Sequence, residues 1–345
     1  MSHDFKTVVL DAGARYGMHP SWDNFLGELE YLAFEPDTEE AERLREHNDP
    51  SVFKVIEAAL YNKTGTFDFN LLKHRGMSSF LMPDMQSECF KDLKPGLGEV
   101  ERTIPIDTRP IDSFVDENNW VLDFLKVDTE GTEHEVIVSA ENEINNGVLG
   151  IRSSMNFNPC FHDQVVFSKT HDFLLERGFM LLNLDYEGLG YPKLGLFKKP
   201  DPNFRESARY GVMVGCDAVW IRKTCDLKHL ERYNTDEKQS AAMVKLAYFC
   251  MLNNAPDVGV DIILKHAIEN KNWNKGDIVG SSLYKGLQFT ILRYLGGWRT
   301  VPDETWANVQ KIYRDIYGED IGGGSGFYPQ IQSMAKELGI STKGL

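Results

Sequence analysis

The chain has 345 residues, of which 42% are hydrophobic and 26% are charged, an ordinary composition for one large globular domain or two smaller ones. Its formal net charge of -15 argues against a nucleic-acid partner, because binding to phosphates needs clustered Lys and Arg. No apolar run approaches the roughly 18 residues that a membrane span requires. We therefore predict a globular, cytoplasmic protein with no nucleic-acid partner and no membrane span.

The cysteines are odd in number and have no Cys-x-x-Cys spacing. This pattern indicates neither a zinc site nor a disulfide framework. We therefore predict no metal site and reduced thiols at Cys89, Cys160, Cys216, Cys225 and Cys250.

The first strong feature is a short apolar run, Val8–Leu10, followed by an acid and by a loop that contains Gly13 and Gly17. Such a run suits a strand buried on both faces, as in a parallel sheet, and the glycines let the backbone turn tightly and approach a small molecule. An ordinary strand-to-helix turn explains the same loop, so a ligand site needs a second element in support.

The second predicted strand, at 29–35, also ends in an acid, Glu35, and Pro36 stops it. In a nucleotide-binding fold a carboxylate at this place accepts hydrogen bonds from ribose hydroxyls; the alternative is a solvated strand end. A helix follows, with Thr38 predicted as its N-cap. Before this strand, 20–27 has the spacing of a short helix.

A third strand is predicted at 52–60. Its small residues Ala58 and Ala59 would let a flat ring lie against the backbone, although core packing explains them equally well. A turn at 62–65 leads into an alternating strand at 66–71, which predicts a β-hairpin. The stretch 74–98 has the composition of a long irregular loop, and such loops are usually functional or mobile.

The next buried strand, 124–127, leads into Asp128, Glu130 and Gly131 and then into a predicted helix from Glu133 to Asn145. Ligands of open parallel sheets bind outside the carboxyl ends of the strands. Gly13, Glu35 and Asp128 are therefore expected to converge on one crevice. The carboxylates of Glu130 and Glu133 have an alternative, structural role, because acids in the first turn of a helix interact favourably with its dipole.

Three segments, DAGARYG at 11–17, FEP at 34–36 and LKVDTEGTE at 125–133, resemble in order and spacing the signature of the FkbM-type methyltransferases. The resemblance covers roughly 8–223. It implies the α/β fold of class I methyltransferases, with a Rossmann-like seven-stranded sheet whose reversed last strand follows a helix. It also implies S-adenosylmethionine as the cofactor. The chain supplies the matching helix at 169–177 and strands at 179–184 and 217–221.

The resemblance also implies roles for single residues. Glu35, next to Pro36, would hold the ribose hydroxyls, and Ala58 and Ala59 would flank the adenine. Asp128 would lie near the amino group of the cofactor or near the acceptor. Arg15 stands where most members have Asn. The loop at the methionine end of the cofactor would consist of Asp11, Gly13, Ala14, Arg15 and Gly17.

The activity that the resemblance implies is methyl transfer to a hydroxyl oxygen of a sugar, a glycan or another small metabolite. A base must then take the hydroxyl proton, and Asp128 and His162 are the predicted candidates. His162 lies in a polar and aromatic loop where this fold tends to build its acceptor pocket. A metal-assisted variant is conceivable, but no ligand spacing demands it.

Two other classes of function are alternatives to this activity. A non-catalytic module would bind S-adenosylmethionine and use a helical domain to bind a partner. A nicotinamide dehydrogenase is disfavoured, because Gly13 and Gly17 are four residues apart and do not fit Gly-x-Gly-x-x-Gly.

Beyond Lys223 the apolar residues recur at helical spacing. This predicts two domains, a methyltransferase-like domain at 1–225 and an all-α domain at 235–345. The oligomeric state is left open, a homodimer included. The helices of the second domain are predicted at 238–252, 258–269, 283–295, 304–317 and 330–338.

Overall fold

The computed structural model describes residues 6–19, 22, 28–87, 89–90, 96–185, 190–191 and 212–269. The predicted helices at 283–295, 304–317 and 330–338 lie outside these residues, and so does the predicted helix at 20–27 apart from Trp22. None of the helices in the described part of the chain has the length and the hydrophobicity that crossing a bilayer requires.

The main sheet has seven strands, in the spatial order β3-β2-β1-β7-β8-β12-β9. Neighbouring strands are parallel from β1 through β7 to β8 and between β2 and β3, whereas β12 runs antiparallel to both β8 and β9. The strands are β1 (Thr7–Ala12), β2 (Leu29–Phe34), β3 (Phe53–Ile56), β7 (Phe124–Val127), β8 (Gly150–Asn156), β9 (Phe179–Asp185) and β12 (Gly215–Arg222).

This order confirms the predicted Rossmann-like class I sheet. The chain winds outward in one direction over β1, β2 and β3 and then in the other from β7, so the order reverses between β1 and β7. Ligands of open α/β sheets bind at such a switch point. The last strand, β12, is reversed, as the resemblance implied, and the structure places it between β8 and β9.

An accessory sheet of three strands consists of β4 (Ala59–Leu60), β6 (Val100–Arg109) and β5 (Gly65–Leu72), in that order. The predicted hairpin is wrong, because β5 pairs antiparallel with β6 and not with the strand that precedes it. The predicted third strand is also divided in two, into β3 and β4. A further two-stranded sheet pairs β10 (Gly190–Tyr191) with β11 (Val212–Met213).

Helices cover the main sheet and bury its apolar side chains. All six residues of β1 and of β2 are buried, as the apolar runs predicted. The N-cap of α1 is Asp37 and not Thr38, since the Asp37 carboxylate accepts from the backbone N–H groups of Glu39 and Glu40. The helices are α1 (Thr38–His47), α2 (Ile111–Asn118), α3 (Glu133–Val138), α4 (Glu141–Asn146) and α5 (Phe167–Glu176).

The chain divides into two compact units. One consists of Val8–Met18 and Tyr31–Arg222 and holds the accessory sheet and nearly all of the main sheet; the other includes the described residues after Arg222 together with short N-terminal segments. In this second unit the predicted helices at 238–252 and 258–269 are present with longer N-termini. Its helices are α6 (Thr224–Leu227), α7 (Asp236–Leu252) and α8 (Pro256–Glu269). The division into domains at 1–225 and 235–345 stays a prediction.

Candidate functional site

A cavity of about 420 Å³ lies at the carboxyl ends of β1, β2 and β7. It has two walls. One is the edge of the main sheet with the loops that leave it, and the other is a face of the accessory sheet. The main-sheet wall includes Ala12, Gly13, Arg15, Tyr16, Glu35, Pro36, Asp37, Asp128, Thr129, Glu130 and Thr132.

The loop after β1 is held directly against the end of β7. The backbone N–H of Asp128 donates to the carbonyl oxygen of Ala12 at 2.9 Å. Gly13 has φ +84°, and a Cβ added there would lie 1.9 Å from the carbonyl oxygen of Asp128. Only glycine fits this position, and for this reason two loops from distant parts of the sequence meet at the floor of the cavity.

Glu35 lies at the end of β2 and is only 4% exposed. Its Oε1 accepts from the backbone N–H of Asp37 at 2.9 Å and is 3.9 Å from Nη1 of Arg15. Burial raises the pKa of Glu35 to about 7, although the Asp37 N–H and the Arg15 guanidinium both favour the ionised form. Arg15 makes its closer contact with Asp37, at 3.1 Å. The other oxygen of Glu35, Oε2, has no hydrogen-bond partner among the described residues.

A partly buried lysine that the sequence reasoning missed joins the two strand ends. Nζ of Lys126 lies 3.1 Å from Oδ1 of Asp11 and 3.6 Å from Oδ2 of Asp128, and it donates to the carbonyl oxygen of Gly13 at 3.4 Å. Burial disfavours the Lys126 cation, but the two carboxylates raise its pKa above the ordinary value. The signal was present, because an ionisable residue in an otherwise apolar strand needs a partner.

Asp11 is fully buried. Burial raises its pKa, and Lys126 opposes that rise, while the hydroxyl of Tyr31 donates to its Oδ2 at 2.7 Å. Asp11 does not line the cavity. It therefore supports the glycine loop from below through Lys126.

The loop between Asp128 and α3 is organised by Glu133. Its Oε1 accepts from the backbone N–H groups of Thr129 and Gly131 at 3.0 and 2.9 Å. Burial raises the pKa of Glu133 to about 7, against the effect of these hydrogen bonds. Glu133 does not line the cavity, which favours its structural alternative.

Glu130 has φ +54°, a strained conformation for a residue other than glycine, and it lines the cavity. Burial and then the nearby Asp128 carboxylate raise its pKa. The loop after β7 therefore presents Asp128 and Glu130 to the cavity and keeps Glu133 beneath them.

The wall formed by the accessory sheet is mostly apolar. Residues two apart in a strand lie on the same face of a sheet, and the register pairs Phe69 with Ile104 and Leu71 with Arg102. This wall is formed by Phe69, Leu71, Phe80, Ile104, Ile106 and Arg102, with Arg75 in the 3₁₀ turn that follows β5.

The cavity brings together most of the predicted site residues. Asp11, Ala14, Gly17 and His162 are not part of its lining, and Ala14 is buried. His162 is exposed, and its role as a base stays a prediction. The predicted residues that line the cavity are Gly13, Arg15, Glu35, Pro36, Ala58, Ala59 and Asp128.

The reduced state predicted for all five cysteines is wrong for two of them. Cys89 and Cys160 form a disulfide, while Cys216, Cys225 and Cys250 are free. The bond ties the segment between β5 and β6 to the loop after β8. An odd number of cysteines with irregular spacing does not exclude one disulfide between two cysteines that only the fold brings close together. Among the described residues, no cluster of three or more His, Cys, Asp or Glu side chains could hold a metal ion.

Residues 11–181 match the methyltransferase FkbM domain. Among solved structures, the chain is similar to a methyltransferase FkbM from Methylobacillus flagellatus, at 15% identity and a TM-score of 0.34, over 63% of this chain and 44% of that one. A second similar structure is described as an S-adenosylmethionine-dependent methyltransferase from Listeria monocytogenes, at 8% identity and a TM-score of 0.34, over 65% of this chain and 94% of that one. The chain thus spans less than half the length of the first of these proteins. No curated protein matches the chain in sequence.

Proposed function

Because residues 11–181 of this chain match the methyltransferase FkbM domain, we propose that the protein transfers a methyl group from S-adenosylmethionine to a hydroxyl oxygen of a small metabolite, a sugar or a glycan. The observation that carries the proposal is that Gly13, Glu35 and Asp128, which come from three separate strand ends, line one cavity.

The residues of the cavity fit this cofactor. Glu35 keeps one carboxylate oxygen, Oε2, without a hydrogen-bond partner among the described residues, and this oxygen can accept from ribose hydroxyls. Gly13 leaves no side chain above the floor, so a ligand can approach the backbone there. Ala58 and Ala59 line the same cavity, and their small side chains leave room for a flat ring.

When it is bound, the cofactor supplies a methyl group already activated by its sulfonium. The protein has to align the acceptor oxygen with that methyl carbon and to receive the hydroxyl proton. Asp128 lines the cavity with 38% of its side chain exposed, and Lys126 contacts its Oδ2 from below. We assign Asp128 as the base, with its carboxylate taking the proton as the oxygen–carbon bond forms.

Asp128 has an alternative role as an anchor for the amino group of the cofactor. The two roles make different demands. A base is needed for turnover but not for affinity, whereas an anchor contributes to affinity.

The test is calorimetric titration of S-adenosylhomocysteine into the parent protein and two variants. Glu35→Ala should weaken binding by about 1–3 kcal/mol, the cost of leaving the ribose hydroxyls unpaired. Glu57→Ala is the matched control, since Glu57 follows the neighbouring strand β3 and does not line the cavity. Failure of the parent protein to bind would contradict the proposal, and equal affinity in Glu35→Ala would remove Glu35 from the ribose site.

A further inference from the structure

The cavity contains arginines although the chain as a whole is strongly acidic, with a formal net charge of -15. Arg15, Arg75 and Arg102 all line it. Arg15 belongs to the main-sheet wall, where Asp37 pairs with it at 3.1 Å and Glu35 lies 3.9 Å away. Its charge is therefore already matched by carboxylates of the same cavity.

Arg75 on the accessory-sheet wall is only partly matched. Its Nη2 pairs with Glu101, which does not line the cavity. Its Nη1 is buried and has no hydrogen-bond partner among the described residues. A buried donor without a partner is costly, so this guanidinium keeps hydrogen-bonding capacity for a ligand that enters beside it.

Arg102 is exposed and has no ion-pair partner in the part of the chain that the structure describes. The register of β6 places it opposite Leu71, with Ile104 two residues further along opposite Phe69. These four residues line the cavity, so Arg102 adds a positive charge to an otherwise apolar face of this wall.

The distribution of charge in the cavity is therefore one-sided. Every carboxylate in its lining comes from the main sheet or from a segment that directly follows one of its strands, namely Glu35, Asp37, Glu39, Asp128 and Glu130. Arg75 and Arg102 come from the accessory sheet and the turn next to it. A negative group on a ligand would be repelled at the first wall and attracted at the second.

We infer that the methyl acceptor carries an anionic group, a carboxylate or a phosphate, and that Arg75 and Arg102 bind it. Guanidinium groups match the planar fork of a carboxylate or the oxygens of a phosphate. The apolar part of the acceptor lies on the face of Phe69, Leu71 and Ile104, and its hydroxyl points to Asp128. The inference rests on the proposed function, and it adds the chemical class of the acceptor.

The test uses small aromatic probes in place of the acceptor. Phenyl phosphate and benzoate carry the two kinds of anion, and phenol is the neutral control. Binding of each is followed by saturation-transfer NMR, with and without saturating S-adenosylhomocysteine. The variants are Arg75→Gln and Arg102→Gln, with Arg45→Gln as a control that removes an arginine outside the cavity.

We expect the parent protein and Arg45→Gln to bind at least one of the two anions more tightly than phenol, and the stronger of the two identifies the anion. Each cavity variant should weaken anion binding by about tenfold, the loss of one charge-assisted pair, and should leave phenol binding and the affinity for S-adenosylhomocysteine unchanged. Thermal unfolding of each variant checks that it is folded, and exposed Arg102 supplies the variant least disturbing to the fold.

Three outcomes would overturn the inference. The first is that phenol binds as tightly as both anions, and the second is that both cavity variants bind the anions like the parent. The third is a loss of S-adenosylhomocysteine affinity in folded Arg75→Gln and Arg102→Gln, which would assign the arginines to the carboxylate of the cofactor. Failure of the parent to bind S-adenosylhomocysteine at all is a separate result that contradicts the proposed function itself.

Discussion

The two walls of the cavity differ in origin and in chemistry. The main-sheet wall is built from strand ends and glycine loops and presents Glu35, Asp128 and Glu130. The accessory-sheet wall is apolar with Arg75 and Arg102 at its side. In the proposed function, the first wall binds the cofactor and supplies the base. The second wall receives the acceptor in that proposal, so we expect changes in the two walls to alter different steps.

The largest effect should come from Asp128 on the main-sheet wall. Asp128→Asn keeps the shape of the side chain but removes the proton acceptor, so single-turnover methylation of an acceptor should fall by about 10²–10⁴ while cofactor affinity changes little. Asp68→Asn is the control, an exposed acid of β5 outside the cavity lining. If affinity drops instead, Asp128 anchors the cofactor; if neither quantity changes, His162 is the next candidate for the base.

The disulfide between Cys89 and Cys160 ties the segment that follows the accessory strand β5 to the loop after β8. It closes a loop over a sequence separation of 71, for which the chain-entropy model gives about 4 kcal/mol of stabilisation. Reduction, or Cys89→Ser, should lower the free energy of unfolding by about this amount in urea denaturation. Cys225→Ser is the control, since Cys225 is free and exposed. Equal denaturation midpoints for the oxidised and reduced protein would contradict the prediction.

The next prediction concerns the carboxylate of Glu133, which accepts hydrogen bonds from the loop after β7. Glu133→Ala leaves the backbone N–H groups of Thr129 and Gly131 without their acceptor, so the free energy of unfolding should fall by about 1–3 kcal/mol. The control is Glu135→Ala on the same helix, because Oε2 of Glu135 is buried without a hydrogen-bond partner among the described residues and its removal should cost little. Equal losses in the two variants would show that the loop does not depend on Glu133.

The smallest effect is the pH dependence that Glu35 gives to cofactor binding. Burial raises the pKa of Glu35 to about 7, so near and below this pH the carboxyl group of the free protein carries a proton. Ribose hydroxyls donate to the ionised carboxylate, so binding of the cofactor would displace this proton. Affinity for S-adenosylhomocysteine should therefore decline as pH falls below about 7, by up to about tenfold per pH unit. Glu35→Gln should flatten this profile. Calorimetry in buffers of different ionisation enthalpy measures the proton release, and a flat profile in the parent would contradict the assignment.

The main-sheet wall was largely predictable because its signals are local. A strand buried on both faces reads as an unbroken apolar run, and a glycine at positive φ marks the turn that follows it. The second strand was predicted to run from Leu29 to Glu35, one residue longer than β2 (Leu29–Phe34). The convergence of Gly13, Glu35 and Asp128 followed from the rule that parallel strands end at one edge. The prediction needed no knowledge of distant contacts.

The accessory-sheet wall was not predictable in the same way. Strand β6 contains Pro105, and a proline within a run argues against a strand. Among the described residues, β4 pairs with β6 only at Thr108 and Arg109, so at Pro105 the strand has β5 alone as its partner and the proline is tolerated. The turn at 62–65 suggested a local hairpin, but β5 (Gly65–Leu72) pairs with β6 (Val100–Arg109), which lies much further along the chain.

The sequence by itself determined the class I fold, the family and where strands of the main sheet end, since these depend on patterns of residues close together in the chain. Only the tertiary structure decided the disulfide, the buried contact of Lys126 with Asp11 and the face that carries Arg102. Each of these joins residues far apart in the sequence, and neither a lone cysteine nor a lone charge indicates which distant partner the fold will bring to it.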